Sequence, residues 1–142
     1  MPIDFPIGTK IISLGRVADP VVPLALLTRR GYLPFDFLVD TGADCSMMPA
    51  AIAETELGID LARCSQEIFF GIEGAGVRVY RGWIALKIGP YPFRVRCVFS
   101  PREHTPLILG RMDLFRHFSI TFDNHRHRIR FTRLTRWPHD PL

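Results

Sequence analysis

Apolar residues in this chain recur in short runs and in alternation with polar ones, and only two stretches carry a helical pattern. Runs rich in Val, Ile, Phe and Tyr between Gly and Pro punctuation predict strands at about Lys10 to Ser13, Val21 to Thr28, Phe35 to Val39, Glu67 to Phe70 and Val77 to Ile88. Further strands are predicted at Phe93 to Phe99, Leu107 to Leu109, Ser119 to Phe122 and Arg128 to Arg133. The first helix is expected to open at Pro49, run through Ala50, Ala51, Ile52, Ala53 and Glu54, and stop near Gly58. The second covers about Met112 to His117. Many short strands with frequent turns predict a mainly β fold, a small closed barrel-like or sandwich architecture with one or two short helices. No repeat, linker or low-complexity segment interrupts residues 1–142, so a single domain is expected.

Composition narrows the class further. With 142 residues, 47% hydrophobic and 23% charged, the chain has the balance of a globular domain large enough to build its own core. The longest apolar stretch, Val21 to Leu27, is broken by Pro23 and is far shorter than the ~20 residues of a membrane span. The opening Met1-Pro2-Ile3-Asp4-Phe5 lacks the basic and apolar regions of a secretory signal, and the expected location is cytoplasmic, with no membrane partner. Three cysteines, Cys45, Cys64 and Cys97, are an odd number without a Cys-x-x-Cys spacing, which predicts free thiols. His104 and the His125-x-His127 pair add no ligand spacing, so no metal or cofactor is expected. The net charge of +4 gathers late in the chain, at His125, Arg126, His127, Arg128, Arg130, Arg133 and Arg136. There Ile120, Phe122, Ile129 and Phe131 alternate with polar residues as in a half-buried hairpin turning at Asp123-Asn124, so a solvated strand is expected and nucleic acid is not.

The chemistry concentrates at Phe37-Leu38-Val39-Asp40-Thr41-Gly42-Ala43-Asp44. A carboxylate at the end of a buried strand needs pairing, hydrogen bonding or protonation to offset its desolvation. Gly42 permits a sharp turn and close approach, and Thr41 offers a donor and an acceptor. An Asx-type turn is the simpler alternative reading of Asp40. Two further features follow in order: the glycine-rich hairpin tip Gly71-Ile72-Glu73-Gly74-Ala75-Gly76, and the apolar strand Leu107-Ile108-Leu109 ending at Gly110-Arg111 before a short helix.

In that order these features resemble the retropepsins, the single-domain aspartic peptidases of retroviruses and their bacterial and eukaryotic relatives, over about Phe35 to Phe118. The resemblance implies that Asp40 is the catalytic aspartate, in an active-site loop supported by Thr41, Gly42, Ala43, Asp44 and Arg111, with an Asp44 to Arg111 ion pair. It implies that Gly71, Ile72, Glu73, Gly74, Ala75 and Gly76 form a flap over the substrate, and that Ile108 and Gly110 belong to the cleft wall. Ala43 sets the chain apart from two-lobed pepsins, which usually carry Ser or Thr there. Two features depart from the pattern: Glu73 charges a flap tip that is commonly apolar, and the chain finishes Trp137-Pro138-His139-Asp140-Pro141-Leu142 where retroviral enzymes often interleave their ends. Cys45, Met47 and Met48 are expected in core or wall.

Hydrolysis without a covalent intermediate needs a base for water and an acid for the carbonyl oxygen, and two adjoining carboxylates sharing one proton supply both. The chain holds one Asp-Thr-Gly and no Asp-Ser-Gly, so a homodimer is expected to bring Asp40 of each subunit to the two-fold axis, acting on a polypeptide. The competing expectation is a catalytically inert module that keeps the fold for peptide binding or dimerisation.

Overall fold

The computed structural model describes residues 1–70 and 76–135. Among the described residues twelve strands, two short α-helices and one 3-10 turn follow in order: β1 Pro2–Pro6, β2 Gly8–Ile12, β3 Gly15–Asp19, β4 Val21–Thr28, β5 Gly31–Val39, β6 Ser46–Pro49, α1 Ala50–Thr55, the 3-10 turn Leu61–Arg63, β7 Gln66–Phe70, β8 Gly76–Ile88, β9 Tyr91–Ser100, β10 Ile108–Leu109, α2 Leu114–His117, β11 Phe118–Asp123 and β12 Arg128–Arg133. The fold is mainly β, as the alternation predicts. Its largest sheet has the order β4-β5-β10-β6-β9-β8-β7, and β8 also pairs with β4 through Ala25↔Lys87 and Leu26↔Leu86, so the sheet closes into a ring.

Alternation explains which side chains fill that ring. Val22, Leu24 and Leu26 of β4, Phe37 and Val39 of β5, Ile84, Leu86 and Ile88 of β8, and Val95, Cys97 and Phe99 of β9 are all buried and belong to one hydrophobic cluster. Gly82 leaves room for Phe99 to lie across β8, since a Cβ there would come within 2.6 Å of the Phe99 ring. Among the described residues no buried side-chain oxygen or nitrogen lacks a partner, and no helix is long and apolar enough to cross a membrane.

A second, three-stranded sheet has the order β1-β12-β11 and joins the same hydrophobic cluster through Phe118, Ile129 and Phe131. The late hairpin turns after Asp123 as predicted, and the basic residues on β12 have partners: Arg128 and Arg130 both bond Asp4, at 3.1 Å and 2.8 Å. The expected Lys10 to Ser13 strand is β2 Gly8–Ile12, whereas β1 and β3 were not expected: β1 alternates at Ile3 and Phe5 but owes its place to pairing with distant β12, and β3 is exposed along most of its length. The second helix begins later than the expected Met112, because Asp113 stands at φ 67 and cannot be part of a right-handed turn.

Candidate active site

β5 and β10 run parallel, with Ile108 beside Leu38 and Leu109 beside Val39, and β10 is flanked on its other side by β6 through Ile108↔Met47. This places a short central strand between the strand that leads into the Asp40 loop and the strand that leaves it. The pairing continues one residue past β5, where the Asp40 N–H donates to the Leu109 carbonyl at 3.0 Å. Asp40 is half-buried at that strand end.

The loop then folds back on itself. The Gly42 N–H donates to Asp40 Oδ1 at 3.0 Å and the Ala43 N–H to the Asp40 carbonyl at 3.1 Å, so one carboxylate oxygen is fixed by the backbone two residues on. That part of the geometry is the Asx-type turn. A second set of bonds anchors the loop to the chain after β10. The Arg111 N–H reaches the Ala43 carbonyl at 3.0 Å, the Met112 N–H reaches the Asp44 carbonyl at 2.9 Å, and the Arg111 guanidinium bonds both the Thr41 carbonyl at 2.7 Å and the Asp44 carboxylate. Beneath it, buried Ser46 Oγ accepts the Gly110 N–H at 3.1 Å.

The structure therefore brings together Asp40, Thr41, Gly42, Ala43, Asp44, Gly110 and Arg111. Gly76 opens β8 and faces Phe70 across the β7–β8 ladder. Gly71, Ile72, Glu73, Gly74 and Ala75 of the expected flap lie outside the described residues, as do residues 136–142. Ile108 and Met47 share a hollow of about 680 Å³ with the loop of Arg102 to Pro106. Asp44, Cys45, Glu67, Trp83, Arg96 and Met112 surround a second hollow, of about 530 Å³. Met48 is core, as expected, while Cys45 is wall. Burial, then the Asp44 charge, pushes the Cys45 thiol up, and burial does the same to Cys97, so both stay protonated and poorly nucleophilic near neutrality. Among the described residues no group of three or more His, Cys, Asp or Glu side chains could hold a metal ion.

One polar pair of the site's surroundings was not visible beforehand. Asp113, in its positive-φ conformation, accepts the Arg96 backbone N–H at 2.8 Å and its guanidinium at 3.0 Å and 2.9 Å. Burial raises the Asp113 carboxyl, but the Arg96 bonds and charge outweigh it and hold the group below its ordinary range. This fixes the turn between Met112 and α2. The pair spans seventeen residues with no motif spacing, so only the fold reveals it.

With an aspartate loop bonded to a central strand and staked by an arginine, the sequence matches, over residues 29–117, the family described as gag-polyprotein putative aspartyl protease. The chain belongs to that family. The match starts just before β5 and ends with α2, so it takes in the Asp40 loop, the β7–β8 hairpin and the Gly110-Arg111 turn. A solved structure from this fold group, a retropepsin-like aspartic protease from Rickettsia conorii, superposes with a TM-score of 0.60 at 16% identity, covering 92% of this chain and 91% of that one. EIAV protease complexed with the inhibitor HBY-793 aligns at 21% identity over 65% of this chain and 81% of its own, with a TM-score of 0.49. No curated protein sequence matches significantly. The Rickettsia likeness establishes the retropepsin-like fold for the family member described above.

Proposed function

We propose that the chain is an aspartic endopeptidase that cleaves polypeptides as a homodimer, with Asp40 of each subunit forming the catalytic pair. The observation that carries this reading is the Asp40 loop of a family member: a half-buried carboxylate at the end of β5, one oxygen held by the Gly42 N–H. One ionised carboxylate takes a proton from water as its oxygen attacks the scissile carbonyl carbon. The other, protonated, gives its proton to the carbonyl oxygen. As the resulting gem-diol collapses, one of its hydroxyls returns a proton to the now ionised carboxylate and re-forms the C=O, the C–N bond breaks, and the amine nitrogen leaves with the proton held by the other carboxyl. Two carboxylates this close cannot both ionise, and the pair titrates as a unit.

Thr41, Gly42, Ala43, Asp44 and Arg111 serve as the rigid setting of Asp40. Gly71 to Gly76 serve as the flap over the peptide, and Ile108 and Gly110 as wall. The hollow beside Ile108 and the one beside Asp44 have apolar linings at Met47, Ile108, Trp83 and Met112, which suit an extended peptide with apolar side chains beside the scissile bond.

Asp40→Asn is the deciding experiment. The amide cannot act as base, so cleavage of a diverse peptide library should fall at least a thousand-fold, on the order of what loss of a general base and its partner costs, while the dimer and peptide binding persist. Cleavage by the variant at near wild-type rate overturns the assignment. Binding of the same peptides by the wild type without any cleavage would favour the inert module.

A further inference from the structure

We propose that the β2–β3 hairpin is an exosite, a surface outside the cleft that docks an extended apolar segment of the polypeptide substrate flanked by acidic residues. The proposal rests on the peptidase reading above and adds to it how a long substrate is held.

The hairpin stands clear of the core. From Gly8 to Ala18 every residue is exposed, and none of them packs against the hydrophobic cluster, to which Ile7 is the last contributor before the hairpin. Yet Ile11 is 77% exposed, Ile12 43% and Val17 40%, and Leu14 in the turn is 92% exposed. Four large apolar side chains gathered on one short projection are characteristic of a docking surface rather than of a free one. β2 and β3 pair only with each other among the described residues, so each presents an open edge of backbone N–H and C=O groups. The match to the aspartyl protease family starts at residue 29, so the hairpin lies outside the part of the chain that the family model covers.

The root of the hairpin fixes where it can act. Only Pro20 separates β3 from β4, which pairs with β5 from Val21↔Leu38, and the Pro20 carbonyl accepts the Val39 N–H at 2.8 Å. One step further along the two chains come Asp19, the end of the hairpin, and Asp40. A polypeptide held at Asp40 therefore has the hairpin root within reach of its flanking residues.

The chemistry of the hairpin selects the occupant. The cross-strand pairs Lys10↔Val17 and Ile11↔Arg16 put one apolar side chain and one cation on each face, which suits an apolar segment with acidic flanks. An extended peptide added to either edge satisfies the open backbone groups and lays its alternate side chains on both faces at once. A bilayer would take up the apolar tip but leave those edge groups without partners in hydrocarbon. A second copy of the hairpin would set Lys10 and Arg16 against the same two cations.

The test compares a short peptide chosen from the cleavage library with the same peptide extended, at one end or the other, by a flexible linker and a run of valines and leucines between glutamates. Wild type should cleave one extended peptide with a KM about ten-fold lower than the short one, because docking supplies effective concentration. Ile11→Ser combined with Leu14→Ser, and separately Lys10→Glu combined with Arg16→Glu, should abolish that gain and leave kcat and the short peptide unchanged. Thermal unfolding as cooperative as wild type shows that each variant is folded. Equal KM values for short and extended peptides in wild type, or a gain that survives both double variants, overturn the exosite while the catalytic reading stands. So does a hairpin-dependent shift in the dimer midpoint by sedimentation, or hairpin-dependent pelleting with phosphatidylserine vesicles, if the extended peptides show no gain. Fluorescence anisotropy of the labelled extended peptide on the Asp40→Asn protein reads docking without turnover. Hairpin-dependent binding there, beside a wild type that cleaves neither peptide, would uphold the exosite and overturn the catalytic reading.

Discussion

Gly110 passes so close to Cys45 that a Cβ on it would lie 2.4 Å from both the carbonyl carbon and the carbonyl oxygen of Cys45. Both atoms are backbone, so no rotamer change relieves the clash. The contact is where the chain leaving β10 crosses the chain leaving the Asp40 loop. Gly110→Ala should destabilise the fold by about 1–3 kcal/mol, the usual cost of overpacking, and should lower kcat through displacement of Asp40. Urea unfolding and steady-state kinetics on one preparation check both, and wild-type values in each would show that the crossing yields freely.

Arg111 joins two parts of the active loop that no other side chain joins in the described residues, the Thr41 carbonyl and the Asp44 carboxylate. A lysine offers one compact ammonium in place of the planar fork and cannot reproduce both bonds. Arg111→Lys should reduce kcat by about ten-fold with little change in KM, a loss of about 1.4 kcal/mol in the transition state. Asp44→Asn should do less, because the Asp44 side chain is 90% exposed and such pairs contribute only about 0–1 kcal/mol. The reverse ranking would mean that the ion pair, and not the carbonyl bond, positions the loop.

The Arg96–Asp113 pair should show itself in acid. Asp113 has a folded-state carboxyl below its ordinary value of 3.8, so its contribution is complete above that value and is lost as pH falls through the lower folded one. Arg96→Met should therefore be less stable than wild type at about pH 6, with the gap narrowing below about pH 4. Urea midpoints of both proteins across that range provide the measurement. A gap independent of pH would mean that the loss lies in packing of the Arg96 stem near Trp83, 5.5 Å from its guanidinium.

Mixing tests the shared pair directly. If wild-type and Asp40→Asn chains exchange freely at equal concentration, random assembly leaves about a quarter of the dimers with two carboxylates, and activity should be about a quarter of that of wild type at the same total chain concentration, the undiluted value. Activity at half the undiluted value would mean that each chain works alone.

How far the sequence revealed this molecule depended on whether a feature was local. Val21–Thr28 and Gly76–Ile88 were legible because alternation or a long β-branched run is itself the cause of the strand. Asp40, Thr41, Gly42, Gly110 and Arg111 were legible as two short motifs, and the fold places them in contact. β6 escaped notice, since Ser46–Pro49 is four residues long and owes its place to neighbours on both sides. Ser46 reads as surface by type, yet it is fully buried because the Gly110 N–H needs an acceptor. Asp113 falls inside the helix expected from Met112 to His117, while its carboxylate serves an arginine on another strand. The exposed Phe122 was expected on the half-buried face of its hairpin. Alternation identifies a face but not where the core beneath that face ends.

The strand order β1-β12-β11 also dictates a sequence of events during synthesis. β12 is the middle strand, and it joins Ile3 to Phe131 across 128 positions of chain. Until a ribosome has released residues 128–133, β1 and β11 have nothing to pair with, and contacts this distant in sequence are slow to close. A nascent chain can thus complete the Asp40 loop and much of the ring while the sheet that carries Phe122 is still missing its centre.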